Sequence, residues 1–190
     1  MKTLKELGPE VDRHIRSILD FPKKGINFRQ VGPNLLWNCA LRDIMPLFAN
    51  PSLVQDLCSA IAHHIRTDVG KVDAVAALEA RGFLFGPTVA MSLGVPFVPI
   101  RKKGKLPGDC LQASYDVVEV QKDAMKPGWK VVIVDDLLAT GGTLKAAVDV
   151  VQKAGAKVAE AFVLIELAPL RGRERIPGIP ECEWNNCLLN

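Results

Sequence analysis

The run Val131-Val132-Ile133-Val134-Asp135-Asp136-Leu137-Leu138-Ala139-Thr140-Gly141-Gly142-Thr143 constrains this chain more than any other segment. It opens with unbroken apolar residues, the pattern of a strand buried on both faces rather than on one. Two carboxylates follow where that strand ends, and then a loop of small residues with two glycines and two threonines. Beyond the loop, Leu144, Ala147, Val148 and Val151 recur at helical spacing and supply an apolar face to lay on a sheet. A strand, a loop and a helix in this order belong to an α/β sheet, in which ligands collect at the carboxyl ends of the strands.

Each part of the run has a chemical use. Backbone N–H groups of Ala139–Thr143 can approach a phosphate closely, and the following helix adds its positive end. Asp135 and Asp136 would repel a phosphate placed directly on them, but they suit sugar hydroxyls, which can donate to them. The pattern therefore predicts a sugar phosphate, with its diol at the carboxylates and its 5′-phosphate on the loop. Neither GxxxxGK[ST] nor GxGxxG occurs anywhere in the chain, so a nucleoside-triphosphate loop or a dinucleotide fingerprint lacks its defining half.

The flanking sequence fits the same architecture. Val11, Ile15, Ile18 and Leu19 predict an amphipathic helix over about residues 10–20, ended by Phe21-Pro22. Asn50-Pro51 reads as a helix start, with Leu53, Leu57, Ala60, Ile61 and Ile65 forming one face up to Gly70. His63 and His64 lie beside that stripe and read as structural residues without a carboxylate at ligand spacing. Apolar runs at Val72–Leu78, Val95–Ile100, Lys130–Val134 and Val158–Leu167 alternate with helical patterns at Phe83–Leu93 and Leu144–Ala154. The expectation is an α/β fold with a mainly parallel sheet flanked by helices, in a single domain spanning 1–190.

Composition excludes several alternatives. Twenty-four basic and 21 acidic residues leave a formal charge of +3, too mild for general nucleic-acid binding. Cys39, Cys58, Cys110, Cys182 and Cys187 form no CxxC pair and no zinc spacing. They read as free thiols of a reducing compartment. Met1–Gly8 holds no apolar signal core, and no apolar run approaches the roughly 18 residues of a membrane span. A cytoplasmic protein is expected.

With these residues in place, Val131–Thr143 resembles the phosphoribosyl-diphosphate motif of type I phosphoribosyltransferases, and the surroundings are similar to their adenine-specific family. The likeness runs from about Val11 to Arg175 and also rests on Phe21–Arg29, Leu78–Gly86 and Arg101–Gly108. It implies transfer of a phosphoribosyl group from phosphoribosyl diphosphate to adenine, giving AMP and diphosphate in purine salvage, with Mg²⁺ and a homodimer. It also implies roles for individual residues. Asp135 and Asp136 would meet the ribose hydroxyls, and Ala139, Thr140, Gly141, Gly142 and Thr143 would hold the 5′-phosphate. Glu79-Ala80-Arg81 would cradle diphosphate, Phe28 would stack on adenine, and backbone groups of Arg29 would read the base edge. Arg81 at a strand end suits forked bonding to phosphate oxygens, and a surface pair with Glu79 is the bland alternative for it. Arg101–Lys105 carries four positive charges around one glycine. It reads as a basic cover in which Arg101 binds the diphosphate, and Lys105 joins Arg81 in stabilising the leaving group.

The chain departs from the family pattern at two places. Phe28-Arg29 is followed by an insertion, residues 30–42, before Asp43-Ile44. After Ala113-Ser114-Tyr115-Asp116 the family continues Leu-Glu-Tyr-Gly, whose Glu is its proposed acid/base, whereas this chain passes straight to Val117-Val118-Glu119. Neither Asp116 nor Glu119 aligns with that Glu. The tail 179–190 is also atypical. Two alternatives therefore stand beside the adenine enzyme: a catalytically impaired or inactive phosphoribosyl-diphosphate-binding variant, or a phosphoribosyltransferase for another purine base.

Overall fold

The computed structural model describes residues 2–18, 41–114 and 118–179. Its main sheet has six strands: β3 (Ala74–Leu78), β4 (Phe97–Lys102), β5 (Cys110–Gln112), β6 (Val118–Gln121), β7 (Lys130–Leu138) and β8 (Lys157–Glu166). They lie in the order β5-β6-β4-β3-β7-β8. The four strands β4, β3, β7 and β8 run parallel, and β6 and β5 extend the sheet antiparallel from β4. A separate antiparallel pair joins β1 (Arg16–Ile18) to β2 (Leu41–Asp43). The fold is thus α/β with a mainly parallel sheet, as expected. The β5–β6 extension carried no clear alternating pattern in the sequence.

Two cores cover the two faces of the sheet, which explains the unbroken apolar strands. Val75, Ala77, Val132 and Val134 face one core with α1 (Leu4–Arg13), α2 (Pro51–His64) and α3 (Gly86–Leu93). Ala74, Ala76, Val131 and Ile133 face the other with α4 (Gly142–Lys153). Neighbouring residues on one strand point to opposite faces, so both must be apolar.

The opening helix begins earlier than its periodicity suggested, at Leu4 rather than near residue 10. A capping box sets that start: the Thr3 hydroxyl accepts from Glu6 N–H, and the Glu6 carboxylate accepts from Thr3 N–H at 2.7 Å. Ile15 is buried beyond the helix end and Ile18 lies in β1, so an apolar spacing shared between a helix and a strand mimicked a longer helix. Leu19 and Phe21-Pro22 lie outside the described residues. The second helix starts as predicted, with Asn50 accepting from Leu53 N–H at 3.2 Å and Pro51 at the first position. Of the insertion, only Leu41 and Arg42 are described, and both belong to β2.

His64 departs from its sequence reading. Its Nδ1 lies 2.7 Å from Asp68 Oδ2, one helical turn on, and its Nε2 lies 2.9 Å from Glu160 Oε1 on β8. Glu160 is 5% exposed. An irregularity in the β7–β8 register places it opposite Val132, on the face that α2 covers. Asp68 does stand at a helical ligand spacing, contrary to that reading, whereas Glu160, 96 positions away, leaves no local trace in the sequence. Removing the imidazole would leave a buried carboxylate without its partner. His64→Ala should therefore lower stability by about 2–4 kcal/mol in a urea titration. Exposed His63→Ala should cost under about 0.5 kcal/mol.

Candidate active site

The carboxyl ends of β3, β4 and β7 meet on one edge of the sheet and bring the predicted segments together. β3 ends in Leu78 and hands over to Glu79-Ala80-Arg81, where the Glu79–Ala80 peptide is cis. β4 ends in Lys102 and runs into the basic turn, while β7 carries Asp135 and Asp136 in its last part. Between these ends lies a cleft of about 380 Å³, lined by Leu78, Glu79, Ile100, Lys102, Lys103, Val118 and Thr143.

Asp135 and Asp136 are adjacent, so their side chains leave the strand on opposite sides. Asp136 is 3% exposed and lies on a core face. Its Oδ2 sits 2.9 Å from Arg81 Nε, yet it has no directed hydrogen-bond donor. Asp135 Oδ1 accepts from the Asp136 N–H at 2.9 Å. Burial, together with the neighbouring Asp136 charge, pushes the Asp135 carboxyl up to about 8. Burial also raises Asp136, against the opposing Arg81 cation. Both shifts favour the protonated form of a carboxyl in this pair.

The loop after β7 delivers its backbone to the start of α4. Gly141 takes φ 77°, which a residue with a side chain would rarely adopt, and α4 begins at Gly142 without a side-chain cap. The first N–H groups of that helix are the natural partners of an anion. Thr143 also lines the cleft, together with Glu79 and the lysines of the basic turn.

The basic segment is organised differently from its sequence reading. Arg101 does not extend into the cleft. It grips Glu79 with Nε at 3.1 Å and Nη2 at 3.0 Å, and donates from Nη1 to the Lys105 carbonyl at 2.9 Å. The hydrogen bonds and charge of Arg101 hold Glu79 below the usual carboxylate range. Arg81, for which a surface pair with Glu79 was the alternative, pairs instead with Asp136. Lys105 is exposed and does not line the cleft, which Lys102 and Lys103 do.

Glu119 supplies a contact that the sequence did not signal. It is 3% exposed, and its Oε1 accepts the N–H groups of Gly104, Lys105 and Leu106 at 2.8, 3.1 and 3.2 Å. This single carboxylate fixes the turn that carries the lysines, so Glu119 serves the backbone of that turn. Phe28 and Arg29, assigned to the base, lie outside the described residues, as does Asp116. Of the five cysteines, buried Cys58 and partly buried Cys110 are free thiols, and the rest lie outside the described residues.

The described residues contain no cluster of three or more His, Cys, Asp or Glu able to cage a metal. Magnesium needs no such cage, because it keeps several waters and takes one or two carboxylates beside substrate phosphates. The buried Asp136 Oδ2 without a directed donor, next to Asp135, fits that partial role.

The acidic pair has a consequence for stability. A carboxyl whose folded value is raised to about 8 binds a proton in the folded state that the unfolded chain has released, so stability falls as pH rises from about 4 to about 8. In metal-free buffer, Asp135→Asn should remove most of that slope. Its melting temperature should match the parent near pH 4 and exceed it at pH 8.5 by several degrees, at about 2–4 °C per kcal/mol. Parallel melting curves across that range would contradict the assignment.

Comparison with known proteins places this geometry in a family. Residues 46–179 match the model of the phosphoribosyl transferase domain. The chain is 60% identical over 180 residues to an adenine phosphoribosyltransferase of Caenorhabditis elegans, covering 92% of this chain and 90% of that protein. It is 47% identical to the Mus musculus adenine phosphoribosyltransferase, covering 90% and 91%. Among solved structures, the Saccharomyces cerevisiae adenine phosphoribosyltransferase, complexed with adenine and an imino-altritol bisphosphate, superposes with a TM-score of 0.81 at 39% identity, covering 92% of this chain and 96% of that one. The Thermoanaerobacter pseudethanolicus enzyme gives 0.77 at 40% identity, covering 91% and 95%. With the strand-end carboxylates, the glycine loop and these likenesses in agreement, the chain belongs to the phosphoribosyl transferase domain family, among its adenine phosphoribosyltransferases.

Proposed function

We propose that this chain transfers the 5-phosphoribosyl group of phosphoribosyl diphosphate to adenine, releasing AMP and diphosphate, as a single domain over 1–190. The observation that carries this reading is the convergence of Asp135-Asp136, Ala139–Thr143 and Glu79–Arg81 on one edge of the sheet. The ribose hydroxyls donate to the acidic pair, relieving the unfavourable burial of two adjacent carboxylates. The 5′-phosphate takes the N–H groups at the start of α4. Diphosphate lies toward Glu79–Arg81 and the cleft lysines, and Phe28 and Arg29 serve the base.

Departure of diphosphate builds negative charge on its oxygens while the sugar carbon becomes cationic. Arg81 is placed to stabilise the leaving group electrostatically, and Lys102 and Lys103 line the cleft beside it. The turn that carries the lysines is held by Glu119 and by the Arg101–Glu79 pair. Both Arg101 and Lys105 therefore act in this reading by shaping the turn rather than by touching the diphosphate. Asp135 and Asp136 would help to hold magnesium, which would supply further neutralisation of the leaving group. The family's homodimer and a cytoplasmic setting complete the proposal; no helix among the described residues is long and apolar enough to cross a membrane.

A second reading is favoured by one observation. Glu119 spends its inner oxygen on three backbone donors, and Gln112 and Val118, which bound the β5–β6 connection, are six positions apart. A chain that binds phosphoribosyl diphosphate without turning it over would look the same.

The deciding measurement supplies purified protein with Mg²⁺, phosphoribosyl diphosphate and adenine, hypoxanthine or guanine in turn. AMP from adenine alone is the expected outcome; tight binding with no product from any base would establish the second reading. Arg81→Ala should lower kcat/KM by about 10²-fold or more. Asp136→Asn and Thr143→Ala should each raise the Kd for phosphoribosyl diphosphate, and unchanged Kd in both would refute the site.

A further inference from the structure

The short 3₁₀ turn Gly172–Arg175, which follows β8, lies directly on the phosphate loop. The contact is backbone against backbone. A β-carbon on Gly141 would strike the Gly172 carbonyl oxygen, and one on Gly172 would strike the Ala139 carbonyl oxygen. Neither position has room for a side chain, so the turn and the loop are held at a fixed separation. Ile176, 3% exposed, anchors the end of the turn in the same core as Leu144 and Ala147 of α4.

The turn and the residue before it carry three arginines, and two of them are neutralised. Arg171 pairs with Glu174 at 2.5 Å, and Arg173 pairs with Glu166 at 2.6 Å. Arg175 makes no hydrogen bond or ion pair with any described residue. Its Nη1 lies 3.9 Å from the place a β-carbon on Gly142 would occupy, and Gly142 is the first residue of α4. An exposed guanidinium is therefore held beside the positive end of a helix. Two positive features side by side are unfavourable unless an anion sits between them. A guanidinium also presents two parallel donors spaced for the oxygens of a phosphate.

We propose that Arg175 is a further substrate-binding residue, whose guanidinium closes over a phosphate monoester seated on Ala139–Thr143. The inference rests on the phosphoribosyl reading above and adds a residue to it from a separate part of the chain. Through this contact the site selects a phosphorylated sugar over a free one, because the Arg175 contact is made to the phosphate alone. The diphosphate end of the substrate, at Glu79–Arg81, lies beyond it.

The test separates the two ends of the substrate. Ribose 5-phosphate and inorganic diphosphate are titrated separately, by calorimetry, into the parent protein, Arg175→Ala and Arg175→Lys. Arg175→Ala should bind ribose 5-phosphate about tenfold more weakly, the loss of one charge-assisted bond. It should bind diphosphate within about twofold of the parent, and Arg175→Lys should recover part of the deficit because it restores the charge without the fork. In the synthesis assay, the KM for phosphoribosyl diphosphate should rise in the same order. Ribose 5-phosphate affinity equal to the parent in Arg175→Ala overturns the proposal. Equal weakening of both ligands also overturns it, because it shows a merely structural role. A parent protein that binds neither ligand and makes no AMP removes the phosphoribosyl reading itself, an outcome distinct from the other two.

Discussion

Two adjacent carboxylates at the end of a buried central strand are the constraint around which this molecule is arranged. β7 lies between β3 and β8 in the sheet, and its first residues fill both cores. The same strand must then carry Asp135 and Asp136 out of that interior to the edge. Burying charge is costly unless it is paired or protonated. The Asp135 carboxyl is accordingly raised to about 8, and Arg81 stands 2.9 Å from Asp136. Ionisation of the pair is thus set against its burial, which makes its charge state and the local stability parts of one balance.

Much of the remaining structure serves to hold positive charge at a controlled distance from that pair. Arg101 is spent on Glu79, and Glu119 gathers three consecutive N–H groups of the basic turn. Buried Glu119 and partly exposed Glu79 thus shape one loop, and they leave Lys102 and Lys103 facing the cleft. On the other side, Arg173 and Arg171 are neutralised by Glu166 and Glu174. The positive charge available to an anion is therefore selected by pairing rather than by the number of basic residues, in a chain whose formal charge is only +3.

His64 shows the same economy away from the site. It joins α2 to β8 through Glu160 and to the following turn through Asp68, and so ties the helical layer to the sheet where an apolar contact would otherwise stand. The irregular register between β7 and β8 is what turns Glu160 inward.

Local sequence determined the central features by itself. The apolar strand, the acidic pair, the glycine loop and the helix face lie within one continuous stretch. Hydrophobic periodicity and turn chemistry act there over a few residues, so Val131–Val151 could be read directly as strand, glycine loop and helix. The Asn50-Pro51 helix start was legible for the same reason. Tertiary structure alone decided which cation meets which carboxylate. Arg81 with Asp136, Arg101 with Glu79, His64 with Glu160 and Glu119 with Gly104–Leu106 are pairings across 13 to 96 positions. No local pattern records such a pairing, because electrostatic partners are chosen by distance in space and by shared burial. The approach of Gly172 to Gly141, close to which Arg175 meets the start of α4, is of the same kind: a glycine's lack of a side chain is visible in sequence, while the backbone it admits is not.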